Sequence, residues 1–161
     1  VRSTLLASDS TFYYGSLGDF GIVTADSTGK IFERSLLEGF PADFIFNDIW
    51  SIRESKGKIY FQAREAIFIY TPANGTQSGN LKIWKPDTEF MYGFSLNDTY
   101  YAHQMNLGLF KENGGVLEFL PGSEFLGSDR VQVLLPYGSG EFLVGAFAGG
   151  LFRYNGFVTT R

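Results

Sequence analysis

Phe142-Leu-Val-Gly-Ala-Phe-Ala-Gly-Gly-Leu-Phe-Arg-Tyr-Asn-Gly156 lies over Tyr100-Tyr-Ala-His-Gln-Met-Asn-Leu-Gly-Leu-Phe-Lys-Glu-Asn-Gly114 without a gap. The superposition sets Gly150 on Gly108, Leu151-Phe152 on Leu109-Phe110 and Asn155-Gly156 on Asn113-Gly114, with position 142 against 100, an offset of 42 residues. Upstream, Ile59-Tyr-Phe-Gln-Ala-Arg-Glu-Ala-Ile-Phe-Ile-Tyr70 followed by Asn74-Gly75 fits with a one-residue slip. Phe12-Tyr-Tyr-Gly-Ser-Leu-Gly-Asp-Phe-Gly-Ile-Val23 fits with Gly15 and Gly21 on Gly145 and Gly150. A repeat of this length decides the architecture before any single residue does.

Each copy carries an apolar strand upstream, clearest at Asn47 to Ile52 and Ser128 to Leu134, and a short strand downstream, Leu81 to Trp84 or Val116 to Phe119. Four strands in a unit of about 40 to 45 residues match a β-propeller blade, and the 3.6-residue period of helical repeats is missing. The expected fold is therefore all-β, with about four four-stranded antiparallel blades at residues 1–37, 44–87, 90–120 and 129–161. Twenty Gly and five Pro spread along the chain agree with many short strands joined by turns. Asn-Gly at 74, 113 and 155 predicts type I′ turns between third and fourth strands, because both residues tolerate positive φ. Four such blades do not close a ring comfortably. An open half-ring exposes two aromatic sheet faces, to be covered by further blades of a longer chain or by a second copy completing a ring of eight.

The 161 residues are 44% hydrophobic and 17% aromatic, enough to bury a core. Thirteen Lys and Arg against seventeen Asp and Glu give a net charge of -4, which argues against a nucleic-acid footprint and against contact with anionic membranes. The longest apolar run, Phe142 to Phe152, is far shorter than the roughly 20 residues of a spanning helix. The chain opens Val1-Arg2-Ser3-Thr4 without Met or a leader pattern, which reads as a segment of something longer. Absence of Cys and a single His remove thiolate chemistry and any site built on two imidazoles, so no metal and no cofactor are expected.

No residue is expected to be catalytic. Asp19-Phe20-Gly21 has the form of a kinase magnesium tripeptide, but the phosphate-covering loop, strand lysine and catalytic loop that would accompany it are missing. Gly15, Gly18 and Gly21 precede no helix and read as turn glycines. Asp48 and Asp129 stand where the innermost strand begins and are expected to cap nearby backbone. Asn74-Gly-Thr76 and Asn97-Asp-Thr99 fit a glycosylation pattern and read as turns. A ligand is expected at the loops between second and third strands and between blades, which collect Asp19, Arg64, Glu65, His103, Gln104, Asn106 and Phe147. Aromatic faces mixed with Arg, Glu, Gln and Asn suit sugars, and suit peptides equally well.

The runs at 59–70, Asn106-Leu-Gly-Leu-Phe110 and Gly149-Gly-Leu-Phe-Arg-Tyr-Asn-Gly156, with Gly15-Ser-Leu-Gly-Asp-Phe-Gly21, resemble the two-component regulator propeller repeats. Those repeats form the extracytoplasmic sensor region of certain bacterial histidine kinases and related regulators. The resemblance implies a periplasmic, non-catalytic sensor segment that binds a nutrient-derived ligand, often a carbohydrate, and signals through the dimer arrangement of its output domain. It supplies no ligand residues. A protein-interaction scaffold is the first alternative, and a propeller glycoside hydrolase or lyase with paired carboxylates the second.

Overall fold

In the computed structural model, residues 1–41, 44–75, 78–157 and 159–161 are described. They form four antiparallel four-stranded sheets, each a simple meander, and no α-helix. The first sheet holds β1 (Ser3–Leu6), β2 (Phe12–Gly15), β3 (Phe20–Ala25) and β4 (Ile31–Ser35). The second holds β5 (Ser51–Ser55), β6 (Lys58–Gln62), β7 (Ile67–Thr71) and β8 (Asn80–Trp84). The third holds β9 (Phe90–Leu96), β10 (Thr99–Gln104), β11 (Gly108–Asn113) and β12 (Val116–Phe119). A 3₁₀ turn, Glu124–Ser128, leads into the fourth: β13 (Val131–Tyr137), β14 (Glu141–Ala146), β15 (Gly150–Tyr154) and β16 (Thr159–Thr160). The sheets are grouped in pairs, within compact units Val1–Ile83 and Trp84–Arg161.

Strand pairing bears out the repeat register. His103 faces Leu109 and Gln104 faces Gly108, while Gly145 faces Leu151 and Ala146 faces Gly150, so the 42-residue offset is a structural equivalence. Gly15 faces Phe20 and Gln62 faces Ile67, which puts Gly15 on Gly145 as expected. Gly21 does not fall on Gly150. Four residues separate Gly15 from Phe20 but five separate Gly145 from Leu151, so Gly21 matches Phe152 instead.

Two upstream strands begin later than the apolar pattern announces. β5 starts at Ser51, because Asn47 to Ile49 serve as a connector bonded to the first hairpin, and β13 starts at Val131, after the 3₁₀ turn. The Asn-Gly pairs lie after the third strands, with a different use of Asn. At β11–β12 the two-residue turn is Gly114-Gly115, at φ +60° and +91°, and Asn113 is its preceding strand residue. Asn155 holds its turn through Oδ1, which accepts the Phe157 N–H at 3.0 Å. Thr76, beyond Asn74-Gly75, lies outside the described residues. Asn97-Asp98 is a hairpin turn between β9 and β10, with both residues at positive φ.

Alternation sorts the side chains of each strand between two faces, and in the middle strands β6, β7 and β10 both faces are buried. In the first unit, Tyr13, Phe20 and Ile22 of the first sheet meet Ile59, Phe61, Phe68 and Tyr70 of the second. The Phe20 ring lies 4.4 Å from Phe61 and 4.7 Å from Phe68, centroid to centroid. In the second unit Tyr101 and Leu109 meet Val144, Phe152 and Tyr154, and the Tyr101 and Phe142 rings are 5.4 Å apart, edge to face. By register, Tyr13 corresponds to Tyr101, Phe20 to Leu109, Phe61 to Val144 and Tyr70 to Tyr154. The two units thus use the same positions for the same contact.

A backbone staple repeats as well. The Gly18 N–H donates to the Asn47 carbonyl at 2.8 Å, and the Asn106 N–H donates to the Gly127 carbonyl at 2.8 Å. Both donors sit in the left-handed region, at φ +64° and +65°, which turns the N–H of a hairpin loop toward the segment leading into the following sheet. Gly does this freely, and Asn is the side chain that tolerates it best.

Truncating Phe20 to Ala should cost about 3–5 kcal/mol in urea unfolding, as for a fully enclosed aromatic. Phe119→Ala on the half-exposed β12 should cost far less. Asn106→Ala should destabilise by about 1–2 kcal/mol and Asn106→Gly should not, since only the former adds left-handed strain.

Candidate functional site

At one end of every sheet, the hairpin loop between second and third strands meets the segment that precedes the first strand. One backbone bond secures that junction each time: Arg2 N–H to Gly15 O, Trp50 N–H to Gln62 O, Met105 N–H to Glu89 O and Phe147 N–H to Arg130 O, at 2.7 to 3.1 Å. Side chains finish the junction differently in each sheet, and the expected site residues lie here.

In the second sheet the loop is Ala63 to Ala66, closed by Ala63 N–H donating to Ala66 O at 2.9 Å. This leaves Arg64 and Glu65 at its tip. Glu65 accepts the Asn47 side-chain amide at 2.6 Å and the Asn47 backbone N–H at 3.4 Å. Arg64 lays its guanidinium over the Trp50 indole, 5.1 Å from the ring centre, where charge and quadrupole attract. Asp48 stands beside them, 3.4 Å from Arg2 Nε, while its backbone bridges to Leu17. That Asp48 oxygen, Oδ1, is shielded from solvent and receives no hydrogen bond among the described residues. Asn47, Asp48, Trp50, Arg64 and Glu65 enclose an open cavity of about 360 Å³. This volume is at the small end for small-molecule sites.

The fourth sheet inverts the chemistry. Arg130 comes from the segment before the strand and lies 5.0 Å over Phe147, which comes from the loop. The carboxylate is also on the preceding segment: Asp129 accepts N–H bonds from Arg130 (2.7 Å), Ala148 (2.9 Å) and Gly149 (2.6 Å). Desolvation at the loop pushes the Asp129 carboxyl upward, but those N–H groups and the Arg130 charge outweigh it and hold it below the usual carboxylate range. The expected capping role holds for Asp129. For Asp48 the structure shows an ion pair and a backbone bridge instead, and Glu65 is the carboxylate of that loop. A bulge at Val131–Val133 shifts the register between the two segments by one residue. Beside Asp129 a cavity of about 290 Å³ is lined by Phe125, Leu126, Ala146 and Phe152, largely apolar.

The other expected residues are placed apart from these cavities. Asp19 accepts Tyr14 Oη at 2.7 Å and Ser35 Oγ at 2.6 Å, which ties the first hairpin to β4. Burial, followed by that carboxylate, pushes the Tyr14 phenol well above its ordinary value. Gln104 is buried, and its amide oxygen accepts the Asp87 N–H at 3.0 Å. Asn106 is the exposed staple residue. His103 is fully enclosed, with Nε2 3.0 Å from the Leu126 carbonyl. A carbonyl only accepts, so Nε2 carries the proton and the neutral ring keeps Nδ1 bare.

The sequence reading missed Trp50 and Asn47. Their signal was weak: Trp50 read as part of an apolar strand, and nothing in the chain pairs it visibly with Arg64, fourteen positions later. A larger cavity of about 420 Å³, between the ends of β4 and β8, has Leu36, Phe40, Tyr70 and Leu81 as its apolar side. These residues belong to the core of the first unit.

Among the described residues no three His, Asp or Glu side chains gather to hold a metal ion, and no helix is long and apolar enough to cross a membrane. No family model, curated protein or solved structure matches the chain.

Burial lowers the His103 imidazole below its ordinary value, against smaller opposing pulls from the Leu126 carbonyl and Asp129. Below about pH 6.5 the unfolded chain therefore binds a proton that the folded chain refuses, and stability falls as pH drops. Urea midpoints between pH 7.5 and 5.5 should show this loss in the native chain and lack it in His103→Gln. Asp129 acts at lower pH. Its contribution is present above the ordinary Asp value and disappears as pH falls through its depressed folded value, so an NMR titration should find its carboxyl among the last to protonate.

Proposed function

We propose that the four sheets are blades of a β-propeller and that the chain is a non-catalytic, ligand-sensing segment of a bacterial two-component regulator. Its ligand is a carbohydrate, held at the tip of the second sheet. The periplasmic location follows from the resemblance of its repeats, and the coupling to an output domain does also.

The observation that carries the binding reading is the cavity around Trp50. An indole edge and face suit the apolar side of a sugar ring, and stacked Arg64 fixes the indole from one side. Asn47 and Glu65, bonded to each other through one carboxylate oxygen and the side-chain amide, offer further acceptors and donors to hydroxyl groups. The loop carrying Arg64 and Glu65 is held by its own backbone bond and by Trp50 N–H, so the site is organised before any ligand arrives. Glycoside hydrolysis is disfavoured by the same contacts, since Glu65 is engaged by Asn47 and Asp48 lies against Arg2.

Trp84 is the only other tryptophan, and its Nε1 donates to the Gly115 carbonyl at 3.2 Å. In a Trp84→Phe background the emission therefore reports Trp50 alone. Titration with neutral and acidic oligosaccharides should give a saturable change for at least one, and Arg64→Ala should weaken it at least tenfold. An unresponsive Trp50 across the panel would overturn the binding reading, and released reducing sugar would replace it with the hydrolase.

A further inference from the structure

Within each unit, one sheet offers a forward face and the next offers a backward face, and the register identifies these faces in all four sheets. The forward face is Tyr13 and Phe20 in the first sheet and Tyr101 and Leu109 in the third. Phe20 and Leu109 are 0% exposed, each covered within its own unit. In the fourth sheet the same positions are Leu143 and Leu151, and Leu151 is 63% exposed. Strand pairing extends this surface: Val133, Gly145 and Leu151 stand in one row, and Leu135, Leu143 and Arg153 in the next, with Tyr137 beyond. Val133, Leu135 and Tyr137 are exposed too.

The backward face shows the converse. Ile59 of the second sheet is 1% exposed, packed in the core shared with the first sheet, and Phe142 holds the matching position in the fourth. The equivalent residue in the first sheet is Phe12, 52% exposed. It stands in a row with Leu6, Val23 and Glu33, and exposed Ile31 is on the same face. Apolar rows of this extent are uncommon on the outside of a monomer.

We propose that a second copy of this chain docks the outer face of its first sheet on the outer face of the fourth sheet, repeating between molecules the contact that joins the sheets inside each unit. Four features select this occupant. The two faces are a forward and a backward face, the combination already packed twice in the molecule. Both expose aliphatic and aromatic side chains at positions enclosed elsewhere. Arg153 on one, which also pairs with Glu141 of its own sheet at 3.0 Å, and Glu33 on the other are of opposite charge. Finally, both faces are present on every copy, so the contact is heterologous and can grow or close into a ring. The proposal is independent of carbohydrate binding.

Light scattering over a range of concentrations tests it, with Leu151→Arg and Phe12→Arg as exposed-site variants whose circular dichroism confirms folding. The native chain should exceed the single-chain mass as concentration rises. Either variant alone should stay at the single-chain mass, because every contact needs one face of each kind. An equal mixture should form a dimer and stop there, since Leu151→Arg keeps a sound first sheet and Phe12→Arg a sound fourth. A native chain that stays single at every concentration overturns the proposal. Association abolished by one variant and untouched by the other also overturns it, because that marks a symmetric contact through one face.

Discussion

The packing of a forward sheet face on a backward one, centred on Phe20 between Phe61 and Phe68, is the interaction on which the molecule depends. Apolar residues on both faces of the middle strands of a four-stranded meander call for a partner sheet. The second unit solves the same problem with smaller side chains. Leu109 and Val144 replace Phe20 and Phe61, and Tyr101 with Phe142 restores the aromatic volume to one side. Conservation of position with exchange of volume is how a core tolerates different sequences.

Once two faces are packed, the end of the sheets is fixed, and this defines where chemistry can vary. The backbone bond from loop to preceding segment is made four times, whereas the side chains around it differ. Thr88 Oγ1 donates to the Met105 carbonyl in the third sheet, Asp129 gathers three N–H groups in the fourth, and Asn47 meets Glu65 in the second. The guanidinium–aromatic pair appears twice with its partners exchanged, Arg64 on Trp50 and Arg130 on Phe147. A junction whose stability rests on the backbone leaves its side chains available for recognition.

The repeat and its register were legible because Leu109-Phe110 and Leu151-Phe152 hold the same strand positions with the same side chains. The strand starts at Ser51 and Val131 were not, since Asn47 to Trp50 have a strand-like pattern but the Asn47 carbonyl and the Ile49 N–H are spent on Gly18 and Ser16 of the first hairpin. Of the candidate site, Arg64 and Glu65 were visible as polar residues at a loop tip. Asp19, His103 and Gln104 looked similar in sequence, yet the Asp19 carboxylate is held by Ser35, His103 Nε2 by Leu126 and the Gln104 amide oxygen by Asp87. Only coordinates distinguish a polar group that faces a cavity from one that satisfies buried backbone. Trp50 and Asn47 were hidden for the complementary reason, being functional in appearance only once the loop opposite is known.

Native-state hydrogen exchange at Gly18 and Asn106 shows whether the two units repeat one mode of sheet docking. Both residues are exposed at hairpin tips, where an amide without a partner exchanges at nearly the rate of an unstructured chain. Both N–H groups, bonded to Asn47 and Gly127, are expected to exchange as slowly as strand amides of their own units and to open with them. Exchange of either at the rate of a free loop, while its unit remains folded, would contradict a shared mode of docking.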